Sequence, residues 1–423
     1  MAEHFEAKVV KPPAEVHTNA PDEPERFDPW APGFDQGSGA VYHDLIVHCP
    51  VHFRREPAPF FSVSRHADVC EVLRNHDTWS SEAGPGLSYA RPELKGVLVS
   101  TDPPAHTFER RLITKAFRPS AIGAMEPDVV TLVDGLMDRF VGRGHGDLVA
   151  DLAMALPLTV MARLFGTPPG DVDSLRPHVL AMARGVGNPA GRNTADVTAA
   201  YEHVFGYFTP FIERRRNLLA ASPEAAPDDL LTRLLTAELD GVTLTEQDVL
   251  FFIQFLLVAG SATTTLLITN LVRRLLDHPD QLAAVRADRT LVEPAIEESL
   301  RLDAPVHGLY RTPVHDTALH GVQIPADAKV MALFAAANRD PAVFSDPDRF
   351  DAHRDPAELR AHLAFGYGIH FCLGAPLARL EAKVALNAIL DRLPNLRAAG
   401  EFVWLDAMVL HGFEQLPLAW DPA

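Results

Sequence analysis

The run Phe365-Gly366-Tyr367-Gly368-Ile369-His370-Phe371-Cys372-Leu373-Gly374 constrains this chain more than any other stretch. It brings one cysteine to the mouth of a helix, with glycines keeping the backbone clear of whatever sits on the sulfur. Gly374-Ala375-Pro376 predicts the helix start and Leu377–Leu386 its continuation, with proline in the first turn, where its missing N–H removes no hydrogen bond. Free amide N–H groups and the positive end of the helix dipole favour a thiolate there and lower its pKa. One thiolate falls short of the ligand count of a structural zinc or an iron–sulfur cluster, but it suffices as the axial ligand of a haem iron.

The pattern F-G-x-G-x-H-x-C-x-G resembles the haem-binding signature of cytochromes P450, with every fixed position filled. The resemblance implies a mainly α P450 fold, a large helical domain with a long central helix and a small β-sheet region. It also implies heme b (iron protoporphyrin IX), with Cys372 as the metal ligand. Glu298-Ser299-Leu300-Arg301 is similar to the family's E-x-x-R motif. On a surface such a pair is worth only about 0.2–0.5 kcal/mol. Here the resemblance makes Glu298 and Arg301 structural, bracing the region behind the haem together with Asn338-Arg339-Asp340-Pro341 and Phe350. His106 and Arg110, four apart on one helix face, Arg311 and His370 match the family's contacts to the haem propionates, for which Arg and His are apt charge-assisted donors.

Ala259-Gly260-Ser261-Ala262-Thr263-Thr264 matches the family's A-G-x-[D/E]-T-T, where small residues admit O2 and substrate and the threonine and acid serve proton delivery. Thr263 is the counterpart of that threonine. Ala262 stands where the acid is expected, and general acid–base help is typically worth about 10²–10⁴-fold. Ser261 with ordered water, another polar group, or the substrate then has to bring the protons. Nitric oxide reductases of the family also have alanine at this position and take hydride directly from NAD(P)H, which calls for a basic channel. The long loop supplies only Arg91 and Lys95, set against Glu82 and Glu93. The arginine–proline pair of peroxide-driven members is absent from this helix.

The resemblance places the substrate cavity among Gly86–Val99, Met182–Pro189, Phe251, Phe255, Val258 and Ala259 of the central helix, Val306–Leu309, and Val409–Phe413. Phe255, Ala259, Val306, Leu309 and Leu410 are the chosen lining residues. Most are apolar, so the ligand is a hydrophobic small molecule. His307 and His411 are polar exceptions, read as satisfied wall histidines. The chain has no dinucleotide fingerprint of its own, so electrons come from a ferredoxin and ferredoxin reductase. Arg111, Lys115 and Arg118, with Arg379 and Lys383 beyond the cysteine, form a basic dock for an acidic ferredoxin. The functional reading is a soluble, bacterial-type monooxygenase that inserts one oxygen atom of O2. The alternatives are the nitric oxide reductase and a haem-binding sensor or carrier without turnover.

Bulk properties agree. A net charge of −18 over 423 residues argues against a nucleic-acid partner. Cys49, Cys70 and Cys372 are too scattered for a disulfide framework, in keeping with a reducing cytoplasm. Residues 1–28, rich in proline and charge, read as a flexible tail with neither signal peptide nor membrane anchor, ahead of a single haem-binding catalytic domain at 29–423. Val249 to Val272 is uncharged, but Gln254, four threonines and Asn270 interrupt it, so it reads as a buried helix rather than a membrane span. Thr245 is its predicted N-cap, with Asp248 three residues on, and the helix can run to His278. Strands are predicted between Pro50 and Val63 and between Arg311 and Leu333, and helices over Arg65–Asn75, Val129–Phe140, Leu152–Phe165 and Ala199–Leu219. Ser80–Thr101 reads as a long loop.

Overall fold

Thr245 starts the longest helix. Its hydroxyl accepts the Asp248 N–H at 3.1 Å while the Asp248 carboxylate accepts the Thr245 N–H at 3.0 Å, a reciprocal capping box. The helix then runs Glu246–Asp277, 32 residues, or about 48 Å. Among the described residues it is the one helix long and apolar enough to cross a membrane, yet 72% of its apolar window is buried inside the protein. It is the axle of the core. The structure is a computed structural model that describes residues 13, 15–31, 34–88, 97–186, 194–239 and 241–422.

Helices Ala155–Leu164, Val172–Gly185, Thr194–Ala221, Val292–Leu302 and Ala375–Arg392 pack around this axle. Gly260 faces helix Ala155–Leu164 at one of these crossings. A Cβ there would stand 2.7 Å from Met161 Sδ, so a larger residue would displace the Met161 side chain.

A five-stranded sheet covers one side, in the order Val51–Arg54, Phe60–Val63, Val330–Ala332, Leu309–Pro313, Trp79–Ser80. The first pair is antiparallel, the second parallel with Val330 opposite Phe61, and the third antiparallel with Val330 opposite Arg311. The first two strands, Val-His-Phe-Arg and Phe-Phe-Ser-Val, are buried along their whole length, their polar residues included. The remaining strands form short hairpins and a three-stranded patch near the C-terminus.

The predicted helices are present with shifted ends. His66–Arg74 buries Val69, Val72 and Leu73, as its periodicity requires. The helix expected over 129–140 spans Glu126–Asp138, and that over 199–219 spans Thr194–Ala221. A π-turn at Val149–Ala153 precedes Ala155–Leu164. The long loop starts on the strand Trp79–Ser80 and ends in a 3₁₀ turn, Leu98–Ser100. Its Arg91, Glu93 and Lys95 lie outside the described residues.

The tail boundary at residue 28 is corrected. Val16 and Phe27 are 8% and 1% exposed, and Asp22 bridges to Phe53. Thr18 Oγ1 donates to the Gln323 carbonyl at 2.7 Å, and Arg54 Nη1 donates to the carbonyls of Pro24 and Phe27 at 2.7 and 3.1 Å. The fold therefore includes residues 15–28. Two apolar anchors hold a segment whose composition is otherwise that of a linker.

Candidate active site

The cysteine loop is set by its glycines. Gly366 and Gly368 have φ of +71° and +72°, a region that other residues enter only with strain. A Cβ on Gly368 would also lie 2.8 Å from the Leu73 carbonyl oxygen, so the loop rests directly on the end of helix His66–Arg74. Cys372 N–H donates to the Phe365 carbonyl at 2.8 Å and closes the loop. The sulfur accepts from the backbone N–H groups of Gly374 and Ala375, at the start of helix Ala375–Arg392. Burial pushes the thiol up and outweighs these donors and Arg110, so the expected lowering of its pKa is not the net result for the protein alone. At Gly374 a Cβ would meet only Cys372 Sγ, at 3.8 Å. Protein packing does not impose that glycine, and the space beside the sulfur is kept free.

Two arginines and two histidines converge beside this loop. His106 and Arg110 stand on helix Ala105–Thr114, Arg311 on strand Leu309–Pro313, and His370 in the 3₁₀ turn Gly368–His370. The His106 and His370 rings are 4.2 Å apart between centroids. Burial, with Arg110 next, lowers His106 to about 4; burial, with Arg311 next, lowers His370 to about 2. Burial also lowers Arg311 to about 10. His106 Nε2 is buried without a partner. His370 Nε2 lies 3.0 Å from Ser81 Oγ, Arg311 Nη1 donates to the Tyr310 carbonyl at 2.8 Å, and Arg110 Nη2 donates to the Phe371 carbonyl at 2.7 Å. Asp102 is the carboxylate that Arg311 and His106 feel. A buried cluster of donors so short of negative charge is costly alone and suits a ligand carrying carboxylates. The two propionates of haem fit it.

The opposite wall is the central helix. Phe255, Ala259 and Thr263, spaced four apart, are half-buried in a helix whose other faces are buried. They form one stripe along an open side. Thr263 Oγ1 donates to the Ala259 carbonyl at 2.6 Å. Ala262 is 4% exposed. Ser261, expected as a proton relay, is 0% exposed and its Oγ has no partner. Two residues before Thr263 it faces the other way, toward the segment whose Ala153 carbonyl accepts from Thr265 Oγ1 at 3.0 Å. It points away from the stripe that carries Thr263. Phe251 and Val258 are buried, and Phe251 packs edge-on against Phe205 at 5.5 Å.

Val306 and Leu309 are half-buried, and Leu410 pairs with Val306 through an isolated antiparallel bridge. His307 and His411 turn away from this bridge, toward Tyr42 and Asp303. Residues 187–189 of the remaining cavity segments lie outside the described residues.

Behind the loop, Glu298 and Arg301 are both 0% exposed and form a bidentate pair at 2.7 and 2.8 Å. Arg301 also donates to the carbonyls of Asn338, Pro347 and Arg349. Sequence reasoning missed Arg354, whose Nε lies 3.0 and 2.9 Å from the two Glu298 oxygens. Its signal was weak, an arginine just past Phe350 in the expected bracing region. Asn338 Oδ1 accepts the Leu363 N–H at 2.6 Å, so the brace reaches the segment leading into the cysteine loop. The basic dock needs trimming. Arg379 is bound to Glu297 at 2.7 Å through two nitrogens and Lys383 to Glu293 at 2.6 Å. Arg111, Lys115 and Arg118 are exposed, and Tyr367 and Phe371 are 40% and 42% exposed.

A cysteine held at a helix start, a cradle of arginines and imidazoles, and Thr263 on the half-open stripe of the central helix together suit a haem-thiolate oxidoreductase. The cytochrome P450 family profile matches residues 188–394. The chain is 40% identical over 392 residues to cytochrome P450 monooxygenase PikC of Streptomyces venezuelae, covering 90% of both chains. It is 36% identical over 382 residues to the cyclomarin C epoxidase CymV of Salinispora arenicola, covering 88% of this chain and 93% of that one. The structure of cytochrome P450 CYP109Q5 from Chondromyces apiculatus matches with a TM-score of 0.83 at 34% identity, over 94% of this chain and 98% of that one. The chain belongs to the cytochrome P450 family. It is a P450 monooxygenase, haem is its cofactor, and it acts on small molecules.

Proposed function

We propose that Cys372 binds the haem iron and that His106, Arg110, Arg311 and His370 hold the two propionates. The observation that carries this is the convergence of a sulfur held by two amide N–H groups with two arginines and two imidazoles that have few anionic partners among the described residues. When bound, haem supplies the binding and reductive activation of O2. Phe255, Ala259, Val306, Leu309 and Leu410 orient a hydrophobic substrate and exclude water, and one oxygen atom enters that substrate. Oxygen-atom transfer is also what the name of the cyclomarin C epoxidase describes. Thr263 holds a proton at Oγ1, now donated to Ala259, on the stripe that faces the reaction space. Glu298 and Arg301 keep the loop in place through the Asn338 segment.

A ferredoxin, reduced by its reductase, delivers the electrons at the face where Tyr367 and Phe371 and the side chains of Arg111, Lys115 and Arg118 are exposed. An apolar centre with a basic rim suits an acidic carrier protein. The three free cysteines agree with a cytoplasmic enzyme. Ala262 favours a second reading, nitric oxide reduction with NAD(P)H as direct donor. Reconstitution decides between them. With ferredoxin, reductase and NADPH, the monooxygenase converts hydrophobic compounds that shift the ferric spectrum to high spin. Dinucleotide oxidation that needs nitric oxide and no ferredoxin would establish the reductase instead.

A further inference from the structure

The bridge between Val306 and Leu410 is closed by the two histidines beside it. His307 N–H donates to the Val409 carbonyl at 2.8 Å, and His411 N–H donates to the Pro305 carbonyl at 3.0 Å. Extended backbone alternates its side chains, so the residues next to Val306 and Leu410 project behind the wall. There the His307 and His411 rings lie 4.5 Å apart, inclined by 32°. Tyr42 Oη is 3.4 Å from His307 Nδ1, and an Asp303 carboxylate oxygen is 3.8 Å from His411 Nε2. Trp404 packs 5.0 Å from the His411 ring. Arg274 pairs with Asp303 through two nitrogens, one at 2.7 Å. His307, His411, Tyr42, Asp303 and Arg274 border a cavity of 170 Å³ that Arg339 also lines.

The cluster is fastened to the central helix. Asn270 Nδ2 donates to the carbonyls of Asp303 at 3.1 Å and His411 at 3.0 Å. Asn270 lies seven residues, about two turns, beyond Thr263, so it returns to nearly the same side of the helix. Gly412, with φ of +150°, lies close against the same helix, since a Cβ there would stand 2.8 Å from Asn270 Oδ1. One buried network thus ties the wall to the helix that bears the candidate threonine.

We propose that the His307–His411 pair positions the cavity wall, setting how far Val306 and Leu410 project and hence which substrate atom is presented. The two histidines touch no substrate. They act because the N–H groups closing the bridge are their own, and a close-packed interior transmits ring displacement to them. The open cavity behind gives the rings somewhere to yield, so the pair is a site where shape selectivity can be tuned. The inference rests on the reading that Val306 and Leu410 line the substrate cavity.

The test uses the ferric holoenzyme and a series of 1-alkylimidazoles from butyl to dodecyl. Their nitrogen binds the iron, their tail probes the wall, and the optical shift gives Kd. The parent shows an optimum tail length. His411→Ala and His307→Ala move the optimum to longer tails, each extra methylene accommodated being worth about fourfold in affinity. His411→Phe, which keeps a ring in the stack, restores the parental optimum. A role in stability alone would lower haem content and melting temperature and leave the optimum in place, which overturns the proposal. Leu410→Ala separates the two levels. If it moves the optimum and the histidine variants do not, the wall reading stands and the positioning role falls. If none moves it, the wall reading falls too. Should His411→Ala fail to fold, His411→Gln is measured instead, and an unshifted optimum is equally decisive against the pair.

Discussion

Ser261 and Thr263 stand two residues apart on the central helix and face opposite ways, about 200° apart around its axis. Thr263 donates to the Ala259 carbonyl at 2.6 Å on the half-open stripe, while the Ser261 hydroxyl is sealed in the core without a partner. With Ala262 in the acid's place, the proposed reading gives the proton-holding duty on this stretch to Thr263.

Ser261→Ala therefore leaves the ratio of product formed to NADPH consumed unchanged. It removes an unsatisfied buried hydroxyl, so stability stays level or rises by about 1 kcal/mol. Thr263→Ala lowers the product-to-NADPH ratio severalfold with the fold intact. Equal uncoupling in both variants would show that the helix phase does not separate the two roles.

Glu298 neutralises two buried guanidiniums, Arg301 and Arg354. Glu298→Ala leaves Arg301 without a carboxylate and Arg354 with Glu358 alone, and breaking a buried pair in this way costs about 3–5 kcal/mol. The expected result is a large drop in melting temperature with loss of bound haem, since the brace leads into the cysteine loop. Arg354→Met should reproduce part of the loss. A wild-type melt for Glu298→Ala would remove the brace from the account.

Glu381 is 1% exposed with Oε1 unpartnered, and burial holds its carboxyl well above the usual carboxylate range. The native state then binds a proton that the unfolded chain releases, so this group's contribution is retained below the unfolded value near pH 4 and lost as pH rises. Glu381→Gln removes that dependence. Its stability relative to the parent should rise from pH 4 to pH 8 in urea melts. Parallel pH curves would place an ionised carboxylate at this position.

Charge reversal at Arg111, Lys115 or Arg118 should raise the ferredoxin KM severalfold, flatten its salt dependence and leave kcat at saturation nearly unchanged. Lys383→Gln should have little effect, because its ammonium is already bound to Glu293. A larger effect of Lys383→Gln than of Lys115→Glu would move the docking face toward the cysteine helix.

What could be read from sequence was local. Capping at Thr245, the glycines before Cys372 and the four-residue spacing of His106 and Arg110 depend on neighbours along the chain. The family pattern then placed Arg311 and His370. What could not be read was tertiary. Arg379 and Lys383 look free in sequence because their carboxylates, Glu297 and Glu293, belong to another helix. Val16 and Phe27 look like stray apolar residues until the sheet and first helix that receive them are in place. His307 and His411 lie in cavity-lining segments, but only the bridge at Val306 shows that they point behind the wall.

The most direct test of the central claim is the reduced-CO difference spectrum of the purified holoprotein beside that of Cys372→Ala. The account predicts the strongly red-shifted Soret band of thiolate ligation in the parent and its complete absence in the variant. A variant that binds haem and keeps that band would contradict it.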